Sequence, residues 1–381
     1  MTAAPLPAVS PDSGDKPLGY MPQLDGLRTI AVTAVVVQHY KLLIGYGGYG
    51  VHLFFVLSGF LITGILLSER TNVERGGISV FHAFRQFYIR RSLRIFPLYY
   101  FVVFSGILLN VSYAREYAPW LLTYTINFKM AAQGWAIGNF AHLWSLAVEE
   151  QYYLVWPWLI LLVPRRWLVP SAIAAIVVAP LFRATLAMWF TNEMNNTGWL
   201  AGYFVTPTAL DSLGMGSLVA ILNASEKGAA WLRNSMRRVI PLVGLIALLL
   251  FRFAPHVAQF ILVDTAAAIF FAWLIYTAAR GFGGIAGKLL SAVPIVYLGR
   301  ISYGIYVYHQ LVPPVVNRIA SRLGLAMPEN VWLYSLTYGS ATVAAATVSW
   351  YVLERPMNQL KRKFPYRAAE DSVAAPVVAI T

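Results

Sequence analysis

Leu53-Phe-Phe-Val-Leu-Ser-Gly-Phe-Leu-Ile-Thr-Gly-Ile-Leu-Leu67 carries no charged side chain, and its apolar character extends over 48–68. A helix needs about 20 mostly apolar residues to cross the hydrocarbon core of a bilayer. Lipid cannot satisfy loose backbone groups, so a stretch of this kind reads as a membrane-spanning helix. Uncharged runs also occupy 29–37, 154–163, 168–182, 239–251 and 266–279. The whole chain is 58% hydrophobic and 12% charged, against roughly a quarter charged in a soluble domain. Its 12 Trp and 22 Tyr suit a chain with many membrane–water boundaries. The predicted fold is all-α, a polytopic integral membrane protein with ten spans at about 23–44, 48–68, 96–112, 142–163, 168–190, 204–222, 239–254, 257–279, 293–317 and 330–353.

Cytoplasmic loops hold an excess of Lys and Arg, which orients these spans. With the N-terminus inside, twenty of the 29 basic residues fall on inner segments and six on outer loops. Arg28, Arg183 and Arg300 lie within spans. Both termini are therefore expected in the cytoplasm. Tyr117–Phe128 is apolar but too short to cross, and reads as an interfacial or re-entrant piece. Residues 1–20 have no apolar stretch and read as a flexible tail rather than a signal peptide. Residues 21–360 form the membrane domain, and 361–381 a basic, then flexible tail. There is no Cys, so thiol chemistry and disulfides are excluded. Six scattered His do not suggest a metal site, and no metal is expected.

Ionisable groups inside spans cost roughly 2.5–3.5 kcal/mol on insertion scales, so they are the first functional candidates. Arg28 and His39 lie eleven residues apart, on one helix face, with His39 about 16 Å further from the cytoplasm. The alternative is that Arg28 snorkels to the inner surface while His39 bonds a neighbouring helix. Glu149 and Glu150 sit about two turns below the outer boundary. A carboxylate beside a buried imidazole raises its basicity, as a general base requires; an interhelical ion pair is the structural alternative. Arg91 and Arg94, on the basic inner stretch before Pro97, are i,i+3 neighbours able to clamp phosphate bidentately. Such a stretch also binds anionic lipid. Tyr306 and His309 share a helix face as either a core hydrogen bond or a site. His52 reads as interfacial, Asp211 and Asp264 as isolated acids with a Ser or Thr partner, and Glu354-Arg355-Pro356 as an interfacial pair.

Several of these residues fall in ordered motifs. Leu24-Asp-Gly-Leu-Arg28 followed by His39, Gly50-Val-His-Leu-Phe-Phe-Val-Leu-Ser58-Gly59-Phe60, and Arg91-Ser-Leu-Arg94 with Ile-Phe-Pro97 come first. His142-Leu-Trp144-Ser145-Leu-Ala-Val-Glu149-Glu150-Gln-Tyr-Tyr, Ile301-Ser-Tyr-Gly-Ile-Tyr306-Val-Tyr-His309 and Glu354-Arg-Pro follow. From about residue 20 to 360 the chain resembles the membrane-bound acyltransferase-3 family. His52 stands where many members have Asp, and Ala209 where many have Arg.

The resemblance implies an O-acyltransferase of the bacterial inner membrane, acting on cell-envelope sugars or related glycosides. It implies cytoplasmic acetyl-CoA, or another short acyl-CoA, as donor. His39 is then the transfer residue, oriented by Glu149, and Arg91 with Arg94 hold the CoA phosphates. Arg28, Trp144, Ser145, Glu150, Tyr306 and His309 are the remaining substrate-binding candidates. The expected partners are membrane lipid, acyl-CoA and a glycan acceptor, with glycan-assembly proteins as candidates and no nucleic acid. No esterase-like domain follows the last span, so the membrane unit is expected to act alone or with a separate partner. A secondary transporter with an Arg/His/Glu path, and a lipid-binding scaffold, are the competing readings.

Overall fold

The computed structural model describes residues 20–42, 47–133, 137–189 and 202–366. All regular structure among them is helical, with no strand. The main helices of the first half are α1 (Pro22–His39), α2 (Gly47–Glu74), α3 (Val80–Leu109), α4 (Ala118–Leu122), α5 (Ile126–Gln133), α6 (Trp144–Leu162) and α7 (Leu168–Trp189). They are followed by α8 (Leu210–Asn223), α9 (Glu226–Arg252), α10 (His256–Arg280), α11 (Gly284–Leu290), α12 (Val293–Arg300), α13 (Ser302–Tyr308), α14 (Val312–Arg322), α15 (Val331–Ser349) and α16 (Arg355–Gln359). Gly47–Glu74, Val80–Leu109, Arg165–Met188 and His256–Arg280 are each long and apolar enough to cross a bilayer. Among the described residues the chain is thus all-helical, with four helices able to span a membrane.

Several expected boundaries differ from the structure; α9, for one, carries the expected seventh span back to Glu226. The basic inner stretch and the third span form one 30-residue helix, α3, running through Pro97. Proline costs a backbone hydrogen bond, but membrane helices tolerate it where neighbours satisfy the freed group. Tyr117–Phe128 splits at Tyr124, which takes a left-handed φ of 53° and stacks its ring on Tyr99 at 4.0 Å. The expected helix over 293–317 is three segments, because the chain turns at Ile301 and again at 309–311. Pro313 and Pro314 then open α14, where their missing N–H groups cost nothing.

Helix contacts are closest where side chains are smallest. α2 packs on α8 backbone to backbone: a Cβ added to Gly59 would collide with the Leu213 carbonyl, and one added to Gly216 with the Val56 carbonyl. Gly50 meets Ala31 of α1 in the same way, and Gly299 of α12 meets Asp25. Lipid supplies no hydrophobic force between helices, so close van der Waals contact and interhelical hydrogen bonds must hold them. Thr63 Oγ1 donates to Ser217 Oγ at 2.9 Å across the α2–α8 contact, and Trp156 Nε1 of α6 donates to Thr63 at 2.8 Å. Near the end of α2 Arg70 donates to the Ile160 and Val163 carbonyls at 2.7 and 2.6 Å. It thereby satisfies groups that the end of α6 leaves open.

Gly216→Ala should destabilise the protein by about 1–3 kcal/mol, as overpacked cores do. Gly339→Ala, where an added Cβ meets nothing within 4 Å, should not. Thermal unfolding in detergent, read by a fluorescent size-exclusion assay, checks both.

Candidate active site

A cavity of about 200 Å³ lies among α1, α2, α3, α6 and α13. On α2 its wall runs from Val51 to Ile65, about 21 Å of helix. The charged end gathers Asp25 and Arg28 of α1 with Arg91 and Arg94 of α3. Glu149 and Glu150 of α6 lie further along, and Ser145, Tyr306, Phe54 and Phe55 line the opposite reach. Most of the wall is aliphatic or aromatic.

The charged end is ordered by pairing. Arg28 Nη1 bonds Asp25 Oδ1 at 2.5 Å. Arg91 lies over the Tyr153 ring, 4.0 Å from its centroid, with Glu149 and Glu150 as acidic neighbours. Glu149 is gripped on both oxygens: Ser58 donates to Oε1 at 2.9 Å and Tyr153 to Oε2 at 3.0 Å. Glu150 Oε1 is buried and has no hydrogen-bond partner. Arg94 has Arg28, Arg91 and Asp25 as charged neighbours. Glu354 also faces Arg94; it is 4% exposed and accepts from Ser349, so it is not the interfacial pair with Arg355 expected from sequence.

His39 lies beyond the other end. Its Nδ1 sits 2.8 Å from the Val35 carbonyl, so a proton there leaves Nε2 as the free base. The His39 ring meets His309 edge-on at 4.8 Å, and His309 meets His142 at 4.8 Å. His309 Nδ1 is 2.5 Å from the Tyr306 carbonyl. The Tyr306 hydroxyl donates to the His142 carbonyl at 2.7 Å and lies 2.5 Å from Ser145 Oγ. Tyr306 and Ser145 therefore stand between the cavity and the histidines. The structure pairs Glu149 with Ser58, Tyr153 and Arg91 rather than with His39, which corrects the expected orienting contact. Trp144 packs among Phe55, Tyr203 and Phe204 and does not line the cavity. Of the ten residues singled out in the sequence, the cavity brings together seven: Arg28, Arg91, Arg94, Ser145, Glu149, Glu150 and Tyr306. Ser58, Tyr153 and Asp25 were missed as site residues, although each lies inside or beside a quoted motif.

The acyltransferase-domain family model matches residues 21–354. The chain belongs to the acyltransferase-3 family. It is 29% identical over 367 residues to the peptidoglycan O-acetyltransferase OatA of Listeria monocytogenes, covering 89% of this chain and 56% of that protein. A putative peptidoglycan O-acetyltransferase of Bacillus subtilis, YrhL, is 28% identical with 89% and 55% covered. The O-acetyltransferase OatA of Staphylococcus aureus is 27% identical with 89% and 57% covered. The chain thus spans little more than half the length of these relatives. No solved structure matches it.

This acyltransferase-family chain holds a second ionic group outside the cavity. Arg183, 1% exposed, bonds Asp211 at 2.5 Å and Asp264 at 3.1 Å. Asp264 faces His52 Nε2 at 3.2 Å, while His52 Nδ1 meets Ser212 at 2.9 Å. Thr265 donates to Asp211 at 2.7 Å. His52 is therefore buried and paired, not interfacial, and the two acids are not isolated. Linear spacing gave no sign that α2, α7, α8 and α10 would meet here. Both departures from the family pattern lie beside this group, since the Thr208 carbonyl, next to Ala209, accepts from Arg183 at 3.2 Å.

Removing one partner of such a group leaves an uncompensated buried charge, at about 3–5 kcal/mol. Arg183→Leu should therefore cause severe loss of folded protein, and Asp211→Asn combined with Arg183→Gln a smaller one. Yield and thermal unfolding of the purified variants check this order.

Proposed function

We propose that the chain is a membrane O-acyltransferase moving an acetyl, or other short acyl, group from cytoplasmic acyl-CoA to a hydroxyl of a cell-envelope glycan or related glycoside. The single observation that carries this reading is the cavity, which sets arginines at one end and stops at Tyr306 and Ser145, one residue from the His39–His309–His142 cluster. In this reading the ten spans place both termini in the cytoplasm, in a bacterial-type inner membrane. The phosphates of the donor then rest on Arg91 and Arg94, whose planar forks suit bidentate contact. The pantetheine arm follows the apolar wall of α2, with the thioester at the Ser145–Tyr306 end.

In this reading the acyl group passes the Tyr306–Ser145 pair to reach His39, whose Nε2 takes the proton of the acceptor hydroxyl as that oxygen attacks the thioester carbonyl. The C–S bond breaks, CoA leaves as the thiol after proton return from the imidazolium, and the ester remains on the acceptor. Phe54 and Phe55 exclude water from the cavity, protecting the thioester from hydrolysis. Glu149, tied to Ser58 and Tyr153, balances Arg91 and positions it. The relatives' names support acetyl as the group and a peptidoglycan sugar as one acceptor of this class. Family membership gives no support to the transporter reading.

Detergent-solubilised protein should bind acetyl-CoA and hydrolyse or transfer its acetyl group. Arg91→Ala/Arg94→Ala should weaken binding about a hundredfold or more, given 1.5–3 kcal/mol per charged hydrogen bond. His39→Ala should bind but lose at least a hundredfold in turnover. Absence of acyl-CoA binding by the wild type, or full turnover by His39→Ala, would refute the reading.

A further inference from the structure

The segment after the last long helix does not hang free. Following a π-helical turn over Trp350–Glu354 and then α16, a further turn at Leu360–Lys363 lies against α3. Arg90 fixes it, with Nη1 donating to the Lys361 and Phe364 carbonyls at 2.9 Å each and the guanidinium over the Tyr366 ring at 4.4 Å. Arg90 is thereby committed to main chain, unlike Arg91 and Arg94 beside it. The contact gives Lys361 the charged neighbours Arg94, Arg91 and Arg90, of which Arg91 and Arg94 line the cavity. Its ammonium meets the Asn358 side-chain oxygen, leaving donors to spare.

We propose that this C-terminal segment completes the donor's phosphate site, Lys361 acting with Arg91 and Arg94 as a third cation for the phosphate groups of acyl-CoA. The inference rests on the donor reading above. Four cations gathered from two segments repel one another and gain most from a polyanion. The acids nearby face other cations. Asp25 pairs with Arg28, Glu149 and Glu150 face Arg91, and Glu354 faces Arg94. On the α2 side Glu69 faces Tyr366. The segment's own Arg355, Arg362 and Lys363 add further positive charge. Burial, then Arg94, Arg91 and Arg90, push the Lys361 ammonium down to about 6. Above that pH the empty site tends toward a neutral Lys361, and an arriving phosphate restores its proton. Binding therefore takes up a proton, and this contribution to affinity fades as pH rises from about 6 toward 8.

The test compares acetyl-CoA with S-acetylpantetheine, which lacks every phosphate, on the full chain in detergent. Lys361→Gln should bind acetyl-CoA about ten- to hundredfold more weakly and S-acetylpantetheine as the wild type does. Lys361→Arg should restore acetyl-CoA binding and lose the wild type's extra pH dependence between 6 and 8. Unchanged acetyl-CoA affinity in Lys361→Gln, or equal loss for both ligands, would overturn the proposal. So would Lys361-dependent binding of phosphatidylglycerol with no effect on acetyl-CoA, which would assign the cluster to a lipid headgroup. A wild type that binds no acetyl-CoA would refute the donor reading first, and this inference with it.

Discussion

Bare backbone contact between α2 and α8, through Gly59 and Gly216, sets the position of nearly everything else. In lipid, apolar side chains gain little by leaving one apolar neighbour for another, so contact distance decides which helices stay together. α2 is fixed to α8 by this contact and by Ser217, and to α1 at Gly50. It is also the helix that walls the cavity from Val51 to Ile65. Ser58, one residue before Gly59, therefore reaches Glu149 from a helix that has no freedom to shift. The packing surface and the lining surface are two faces of one helix.

Charge is sorted along the fold. At the charged end of the cavity cations outnumber firmly paired acids, and Arg94 opens into the cavity with other arginines around it. In the middle, Glu149 is saturated with donors while Glu150 Oε1 has none. Beyond Tyr306 come three imidazoles, with no acid in contact among the described residues. A polyanionic group is favoured at one end, and proton transfer at an imidazole at the other, with an apolar stretch between them. That order matches a donor with phosphates at one end and a reactive thioester at the other.

Much of this was legible in the sequence because bilayers impose strong patterns. The charge-free runs marked α2, α7 and α10; Arg28, Glu149 and Glu150 stood out as costly residues in apolar surroundings, and Arg91 and Arg94 as an i,i+3 pair on a basic stretch. What the sequence hid was non-local. His52, Arg183, Asp211 and Asp264 come from four helices, and each alone resembled a stray polar group. The partner of Glu149 was misjudged for a related reason: depth along the membrane normal says nothing about direction around it. Glu149 and His39 share a depth by residue counting, yet Tyr153, one turn along α6, and Ser58 across the interface capture the carboxylate first. The continuity of α3 through Pro97 was also hidden, because proline is a stop signal in water and a tolerated interruption in lipid.

The ionic group around Arg183 bears on how this protein can change over generations. Four helices contribute to it, and Arg183 cannot be lost without stranding the charge of Asp211 where neither water nor lipid will solvate it. Single substitutions there lead through unstable intermediates, so its residues are retained or exchanged together. Asp264, the more accessible member of the group, is where such an exchange would begin. Around Arg183 and Asp211 the sequence is free to vary only in pairs.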